Sequence, residues 1–189
     1  IETYKIYQPF NKTYKWINSH NNSIWQGWSQ LPQTAENLII TKSLKDVMAL
    51  YEVTGIPSVS LQCENVLPKQ QIFNELSNRF LDIYIFYDND YDKEENWGQL
   101  FAQKFKDSFD VFDIIIEDKY ECKDFSDFVK KHGIVESKKL VKSQFYKSSM
   151  VVFSTNVDNN KNITEINKLL NTNTPTNILS TSFPSYLIL

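Results

Sequence analysis

The chain is short of cysteine, has no excess of basic charge and contains no long apolar run, and each shortage excludes a class of protein. Its two cysteines, Cys63 and Cys122, form no Cys-x-x-Cys pair and no zinc-type spacing with His20 or His132. We therefore expect a reduced intracellular protein with neither a disulfide framework nor a zinc ribbon. Because the formal net charge is −3, any contact with nucleic acid has to come from a local basic patch.

No stretch has the length and apolar character of a membrane span or of a signal peptide, so we expect no membrane partner. The 189 residues do contain 41% hydrophobic and 14% aromatic residues, which is enough for one globular core with appendages. The chain begins at Ile1 and not at a methionine, so we expect it to be a piece of a longer protein.

The most informative stretch is LDIYIFYDNDYD, residues 81–92. Its continuous apolar run, Ile83–Tyr87, is typical of a strand in a parallel sheet that is covered on both faces. Asp88, Asp90 and Asp92 follow at the carboxyl end, where open α/β sheets bind ligands. Clustered carboxylates repel one another unless a cation lies between them, and hard divalent cations prefer oxygen ligands. The stretch therefore predicts a metal site, to which Asp92 is assigned by proximity alone.

Strands and helices alternate from Asn37 onward. The pattern predicts strands at Leu38–Thr41, Pro57–Leu61, Leu81–Tyr87 and Val111–Ile116, and helices at Leu44–Tyr51, Pro68–Phe80 and Trp97–Phe109. Such alternation predicts an α/β fold over residues 37–133, with a central, Rossmann-like parallel sheet of about four strands flanked by helices.

Residues 1–36 are aromatic and asparagine-rich and predict a small antiparallel β appendage, with strands at Tyr4–Phe10, Tyr14–Asn18 and Ile24–Trp28. Two interpretations are open for its aromatic and basic residues: they stack on bases and contact phosphates, or they pack the appendage onto the main domain. These residues are Lys12, Tyr14, Lys15, Trp16, Trp25 and Trp28.

After the α/β region, a helical extension is predicted over residues 134–150. Its outer face carries lysines that either form a solvated surface or follow a phosphate backbone, namely Lys138, Lys139, Lys142 and Lys147. Residues 151–189 form a C-terminal extension without an assigned role. At its start, Met150–Ser154 is predicted as one more strand, and Asn162 as the cap of a further helix.

The order of features in residues 37–133 resembles the Toprim domain of primases and topoisomerases. The segments that carry the resemblance are IITKSLKDVMALY, SLQCEN, YIFYDND and KDFSDFVKKHG, preceded by IYQPF, KWI and IWQGW. Together they look most like phage-type DNA primases and primase-like replication proteins, over about residues 4–146. The resemblance places Asp46, Asp88 and Asp90 at the family's acidic positions, which implies that these three acids bind Mg²⁺ or Mn²⁺ and take part in catalysis.

One departure concerns the glutamate that ends the family's first strand, because Lys42 stands there. A charged lysine cannot ligate a metal, but it can hold a phosphate. Glu64 follows the second predicted strand at the same edge of the sheet; either it supplies the missing catalytic carboxylate or it is an ordinary loop acid. Lys42, Lys45 and Lys123 are predicted to bind a triphosphate or the template backbone.

Two further acids, Asp124 and Asp127, lie in the segment that resembles the KDxxD motif of primases. Either they join the acidic cluster or they cap the helix that begins near Ser126.

Phosphoryl transfer between nucleotides needs charge neutralisation and in-line positioning, which divalent cations supply by bridging carboxylates and phosphates. The resemblance therefore implies the catalytic core of a DNA primase, a nucleotidyltransferase that joins ribonucleotides into RNA primers on a single-stranded DNA template during replication. It also implies the cytoplasm of a bacterial or phage-infected cell, and a helicase or other replication proteins as partners.

The departure at Lys42 keeps a second function open, a non-catalytic Toprim-like module that binds nucleic acid or docks within a replication or transcription assembly. A Toprim-type nuclease, using the same acids to cleave DNA, is a third. The KDFSDF segment favours a primase over the nuclease.

Overall fold

The computed structural model describes residues 4–14, 16–19, 23–63 and 65–160. Lys15, Glu64 and Asn162, each named above, lie outside the described residues. None of the helices in the described ranges combines the length and the apolar character that a membrane span needs. The residues up to Tyr146 form one compact unit, and the helical residues 147–160 belong to a second unit.

The described residues form two sheets and four α-helices. A two-stranded antiparallel ribbon of β1 (Tyr4–Tyr7) and β2 (Trp16–Ser19) confirms the predicted appendage. The main domain runs through β3 (Ala35–Thr41), α1 (Leu44–Thr54), β4 (Ser58–Ser60), α2 (Gln70–Arg79), β5 (Phe80–Phe86), α3 (Trp97–Ser108), β6 (Phe112–Asp113) and α4 (Phe125–Asn160). Short 3₁₀ helices lie at Trp28–Gln30 and Asp118–Tyr120.

The main sheet is parallel throughout, with the strand order β4-β3-β5-β6, which confirms the predicted α/β fold class. The two central strands pair from Ala35 opposite Phe80 to Thr41 opposite Phe86. Successive residues of these strands point to opposite faces, and both faces are buried by helices. One face packs against α2 and α3, and the other against α1 and α4. The apolar run of β5 is therefore continuous because helices bury both faces of the sheet, as expected from the sequence.

Local signals set the ends of α1, the helix next to the candidate site. The Ser43 hydroxyl caps its first turn by accepting from the Asp46 N–H, and Gly55 ends it in the left-handed conformation with φ 73°. The side chains of Leu50 and Val53 bury its inner face against the sheet. The strand–cap–helix corner thus holds Lys42, Ser43 and Asp46 at the carboxyl end of β3.

The predicted strand at Ile24–Trp28 is wrong. Only Gln26 pairs, in an isolated antiparallel bridge with Ser60 that covers the edge of β4, and its backbone N–H and C=O bond to Ser60 at 2.9 and 3.0 Å. Trp25 is 4% exposed within the core, and Trp28 packs against it at a ring-centroid distance of 5.8 Å. The packing interpretation is therefore confirmed for these two aromatics, whereas Tyr14 is exposed.

Two predicted strands after α3 also differ from the structure. The strand predicted at Val111–Ile116 is limited to Phe112–Asp113, although the following Ile114 and Ile116 remain buried in the core. Met150–Ser154 is helical and belongs to α4, so the strand predicted there is wrong. Gly133, with φ 79° and ψ 173°, interrupts α4 between the predicted KDFSDFVKKHG segment and the predicted helical extension.

Candidate functional site

The candidate site lies where the chain changes direction across the sheet. From β3 the chain passes to β4 on one side, returns to β5 on the other side, and continues to β6. Such a switch point leaves a crevice outside the carboxyl ends of the two central strands, which is where open α/β sheets bind ligands. Lys42 follows β3 at this edge, and Asp88, Asn89 and Asp90 follow β5.

Three carboxylates converge at this edge. Asp46, Asp88 and Asp124 each offer an oxygen, and these oxygens lie within 4.8 Å of one another. Asp46 is 2% and Asp88 5% exposed, and Asp124 is partly buried. We call these three residues the acidic cluster. The structure thus brings together the predicted ligands Asp46 and Asp88, and it adds Asp124, for which the sequence left two roles open.

The Asp46 carboxylate is tied to two helix starts. Its Oδ2 accepts a bond of 2.6 Å from the Ser43 hydroxyl, and its Oδ1 accepts one of 2.7 Å from the hydroxyl of Ser126 in the first turn of α4. Burial and the nearby charge of Asp124 raise the pKa of Asp46, and the two serine hydroxyls act in the opposite direction. Asp46 therefore joins the β3–α1 corner to α4.

Asp88 is held by lysines. Its Oδ2 lies 2.8 Å from Lys42 Nζ and 3.5 Å from Lys123 Nζ. Burial raises the pKa of Asp88 and outweighs the opposing effect of the two ammonium groups. Lys42, which follows β3, thus lies beside the carboxylate that follows β5.

Asp90 shares Lys123 with Asp88 but is not a member of the acidic cluster. Its Oδ1 lies 2.5 Å from Lys123 Nζ, and its Oδ2 accepts from the Gly98 N–H at 3.3 Å. Burial acts to raise the pKa of Asp90, but the bonds from Lys123 and Gly98 prevail and lower it. Asp90 is therefore ionised more readily than Asp88, and it ties the KDFSD segment to the start of α3.

Asp124 combines the two roles that the sequence left open for it. Its Oδ1 accepts from the Asp127 N–H at 2.9 Å, and its backbone carbonyl accepts from Phe128, so it caps α4. Its Oδ2 belongs to an ion pair of 2.7 Å with Lys45. Asp127 is not a member of the acidic cluster.

Two residues with a positioning role were missed as site residues. Asn89, 3% exposed, donates to the Ile116 carbonyl at 2.8 Å and to Asp118 Oδ1 at 2.7 Å, which ties the acidic turn to the chain after β6. Asn96 caps α3 and also accepts from the Asp90 N–H at 2.9 Å. The asparagines in DND and ENWG were visible signals, because Asn is a common cap and turn residue.

Of the remaining predicted acids, Asp92 is an exposed loop residue paired with Lys93 at 3.4 Å. Glu64 lies outside the described residues. A cleft of about 420 Å³ adjoins the site and shares Lys123 with it; its lining combines the further lysines Lys93, Lys130 and Lys131 with the acids Asp92, Glu121 and Asp127. A larger cleft of about 630 Å³, beside α1 and β4, is lined by none of the candidate site residues.

The acidic cluster fits a hard divalent cation in donor type and spacing. All three donors are carboxylate oxygens, the ligands that Mg²⁺ and Mn²⁺ prefer. Separations below 4.8 Å let one ion contact more than one of them. Asp88 and Asp124 already hold lysine ammonium groups, so a cation has to compete with those ion pairs. The fold and this edge together define an α/β protein with an acidic, lysine-neutralised site at the sheet's switch point.

Comparisons with known proteins add a fold likeness. No protein-family model matches the chain, and no curated protein matches it. A solved structure of the bacteriophage T7 lagging-strand DNA polymerase, interacting with primase domains of two gp4 subunits bound to an RNA/DNA hybrid and dTTP, contains a similar chain. The TM-score is 0.49 at 13% identity, covering 72% of this chain and 67% of that chain. At these values the likeness carries no functional conclusion, which has to come from the site.

Proposed function

We propose that the chain is the catalytic core of a phage-type DNA primase, which joins ribonucleotides on single-stranded DNA with Mg²⁺ or Mn²⁺. The observation that carries this proposal is the acidic cluster at the switch point, with carboxylate oxygens within 4.8 Å of one another. The resemblance of the IITKSLKDVMALY, YIFYDND and KDFSDF segments to Toprim primases gives the type of phosphoryl transfer.

Asp46, Asp88 and Asp124 would hold the cation, with Asp90 beside them. When bound, the cation supplies charge neutralisation for the triphosphate and for the attacking hydroxyl. The chain's own contribution is rigid placement, because serine hydroxyls hold Asp46 and the start of α3 holds Asp90. Rigid placement matters because phosphoryl transfer depends mainly on positioning and on electrostatic stabilisation.

The lysines at the site give a place for phosphates. Lys42 and Lys123 lie at the same edge as the acids, and Lys45 lies in the first turn of α1. The adjoining cleft adds Lys93, Lys130 and Lys131 to Lys123, among the acids Asp92, Glu121 and Asp127. A template strand along this cleft would bring its backbone to the site, so single-stranded DNA and ribonucleotides are the partners that we propose, with a helicase or other replication proteins as further partners.

Template-directed primer synthesis tests this function directly. The full chain is incubated with single-stranded DNA and ribonucleotides in Mg²⁺ or Mn²⁺, as wild type and as Asp88→Asn and Asp90→Asn. We expect synthesis by the wild type and a loss of at least about a hundredfold in each variant. Asp92→Asn is the matched control, since Asp92 is an exposed acid in the same turn. Synthesis that persists in both Asp88→Asn and Asp90→Asn would exclude this assignment.

The Lys42–Asp88 ion pair of 2.8 Å favours a second candidate, a non-catalytic module that binds nucleic acid within a larger assembly. In that case the ammonium neutralises Asp88 permanently and no cation is needed. The two candidates differ in metal binding. A wild-type chain that binds single-stranded DNA, but neither binds Mn²⁺ nor makes primers, would support the non-catalytic module.

A further inference from the structure

The acids at the switch point are held by two kinds of partner. Asp46 is fixed by serine hydroxyls, which are short side chains on helix starts. Asp88 is instead held by Lys42 and Lys123, whose long side chains have several rotatable bonds. Asp124 also pairs with a lysine, Lys45, but its second oxygen is fixed by the backbone N–H of Asp127. Of the acidic cluster, Asp88 is therefore the member whose ion-pair partners can leave most readily without any movement of the backbone.

Among the residues that the structure describes, the charges of the site nearly balance. The four carboxylates of Asp46, Asp88, Asp90 and Asp124 lie among three ammonium groups, from Lys42, Lys45 and Lys123. A divalent cation added to this set gives an excess of positive charge if the lysines stay. The excess is removed when a polyanion arrives together with the cation, because ammonium groups are good partners for phosphate.

We propose that Lys42 is a resident counter-ion of Asp88 that excludes a lone divalent cation and transfers to a phosphate when the cation arrives with a nucleoside triphosphate. This inference rests on the proposed function, because it concerns the same site. It follows from the 2.8 Å contact between Lys42 Nζ and Asp88 Oδ2 and from the position of Lys42 at the open end of β3, where its side chain is 28% exposed. The site is thereby selective for a metal–nucleotide complex over the free metal.

The test uses Lys42→Met, measured in two ways. Mn²⁺ binding without nucleotide is followed by electron paramagnetic resonance, and binding of a fluorescent ATP analogue in the presence of Mn²⁺ is followed by anisotropy. We expect Lys42→Met to bind Mn²⁺ alone at least about tenfold more tightly, because a positive charge beside Asp88 is removed. We expect the same variant to bind the Mn²⁺–nucleotide complex at least about tenfold more weakly, because a phosphate partner is lost.

Lys106→Met is the matched control, since Lys106 is also 28% exposed and forms an ion pair of 3.0 Å, with Asp113, outside the acidic cluster. It should change neither affinity. Lys42→Gln, which keeps a hydrogen-bond donor but no charge, should follow Lys42→Met and serves if the methionine variant does not fold. Opposite changes in the two affinities are not expected from a lysine with a purely structural role.

The outcomes separate this inference from the proposed function. If wild type and both Lys42 variants bind Mn²⁺ alone with equal affinity while the wild type binds the Mn²⁺–nucleotide complex, the role of Lys42 is refuted and the primase proposal stands. If no variant binds Mn²⁺ in either form, the primase proposal fails and this inference fails with it.

Discussion

Replacing Gly98 by alanine tests whether α3 really approaches the end of β5 as closely as the site requires. Gly98 is the second residue of α3, and its N–H donates to Asp90 Oδ2. A Cβ atom at this position would lie 2.1 Å from the Asp88 carbonyl oxygen and 2.8 Å from its carbonyl carbon. The φ of Gly98 is not positive, so alanine meets a steric obstacle but no backbone penalty.

The sign of the change in stability caused by Gly98→Ala shows whether the approach is this close. In an open helix, glycine to alanine stabilises by about 0.5–1 kcal/mol. Here the contact is far below the 3.0 Å that real Cβ atoms keep, and the atom it meets is backbone. Gln99 Nε2 also donates to the same Asp88 carbonyl at 3.0 Å, which restrains it. Overpacking of this kind costs about 1–3 kcal/mol or more, so we expect a net loss of about 2 kcal/mol.

Urea and thermal unfolding followed by circular dichroism measure this loss. A destabilisation of about 2 kcal/mol corresponds to a fall in Tm of about 4–8 °C for a domain of this size. Gly55→Ala is the comparison, because it has open space around it but φ 73°, so its cost of about 1 kcal/mol comes from the backbone alone. A Gly98→Ala variant as stable as the wild type, or more stable, would refute the close approach.

Three other substitutions test single parts of the site. Burial and the charge of Asp124 raise the pKa of Asp46 in the folded state above the usual 3.8. The folded state therefore binds this proton more tightly than the unfolded state, and the stability gained in this way is lost as pH rises through the folded-state pKa. Asp46→Asn should therefore gain stability relative to wild type between about pH 4 and pH 7 in metal-free urea unfolding, and a constant difference would contradict this. Asp124→Asn keeps the helix cap, so the free energy of unfolding should change by less than about 0.5 kcal/mol. Its affinity for the Mn²⁺–nucleotide complex should fall at least about tenfold, whereas Asp127→Asn should leave that affinity unchanged. Asn89→Ala leaves the buried Ile116 carbonyl without its hydrogen-bond donor, so the free energy of unfolding measured in urea should fall by about 2 kcal/mol. An equal loss in an alanine variant of the exposed Asn74 would contradict this reason.

Much of the α/β region was predictable because its signals are local. The apolar run before Asp88 has the composition of a strand buried on both faces, and the structure places it as β5. Ser43 and Gly55 are ordinary start and stop signals for a helix, and they bound α1. The position of the acids at the sheet edge followed from these elements, because parallel strands share a carboxyl edge.

The errors in the sequence interpretation come from signals that are not local. Met150–Ser154 is rich in β-branched and apolar residues, as strands are, but it continues a helix that is already formed. Trp25 lies in a segment with strand-like composition, yet its burial in the core against distant residues determines its conformation. Short apolar runs do not distinguish strands from helices or from packed loops.

The ion pairs of the site could not be predicted from the sequence, because they too join residues that are far apart in the chain. Lys42 and Asp88 are 46 residues apart, and Lys45 and Asp124 are 79 apart. The sequence pointed to these lysines as phosphate ligands from their type and from their predicted edge, but it held no information on which carboxylate each one meets. Only the strand order brings Lys42 and Asp88 to neighbouring strand ends.

That pairing explains how a lysine can stand where the resemblance expects an acid without loss of the fold. An additional carboxylate beside the buried Asp88 and Asp46 would repel both of them unless a cation were bound. Lys42 removes this repulsion with its own charge, at an ion-pair distance of 2.8 Å. Lys42 therefore reduces the charge repulsion in the acidic cluster without a metal. If a ligand displaces Lys42 from Asp88, as we propose, the binding of that ligand is coupled to the stability of this edge. Unfolding with and without Mn²⁺ and nucleotide should show this linkage as a larger stabilisation by both ligands together than by Mn²⁺ alone.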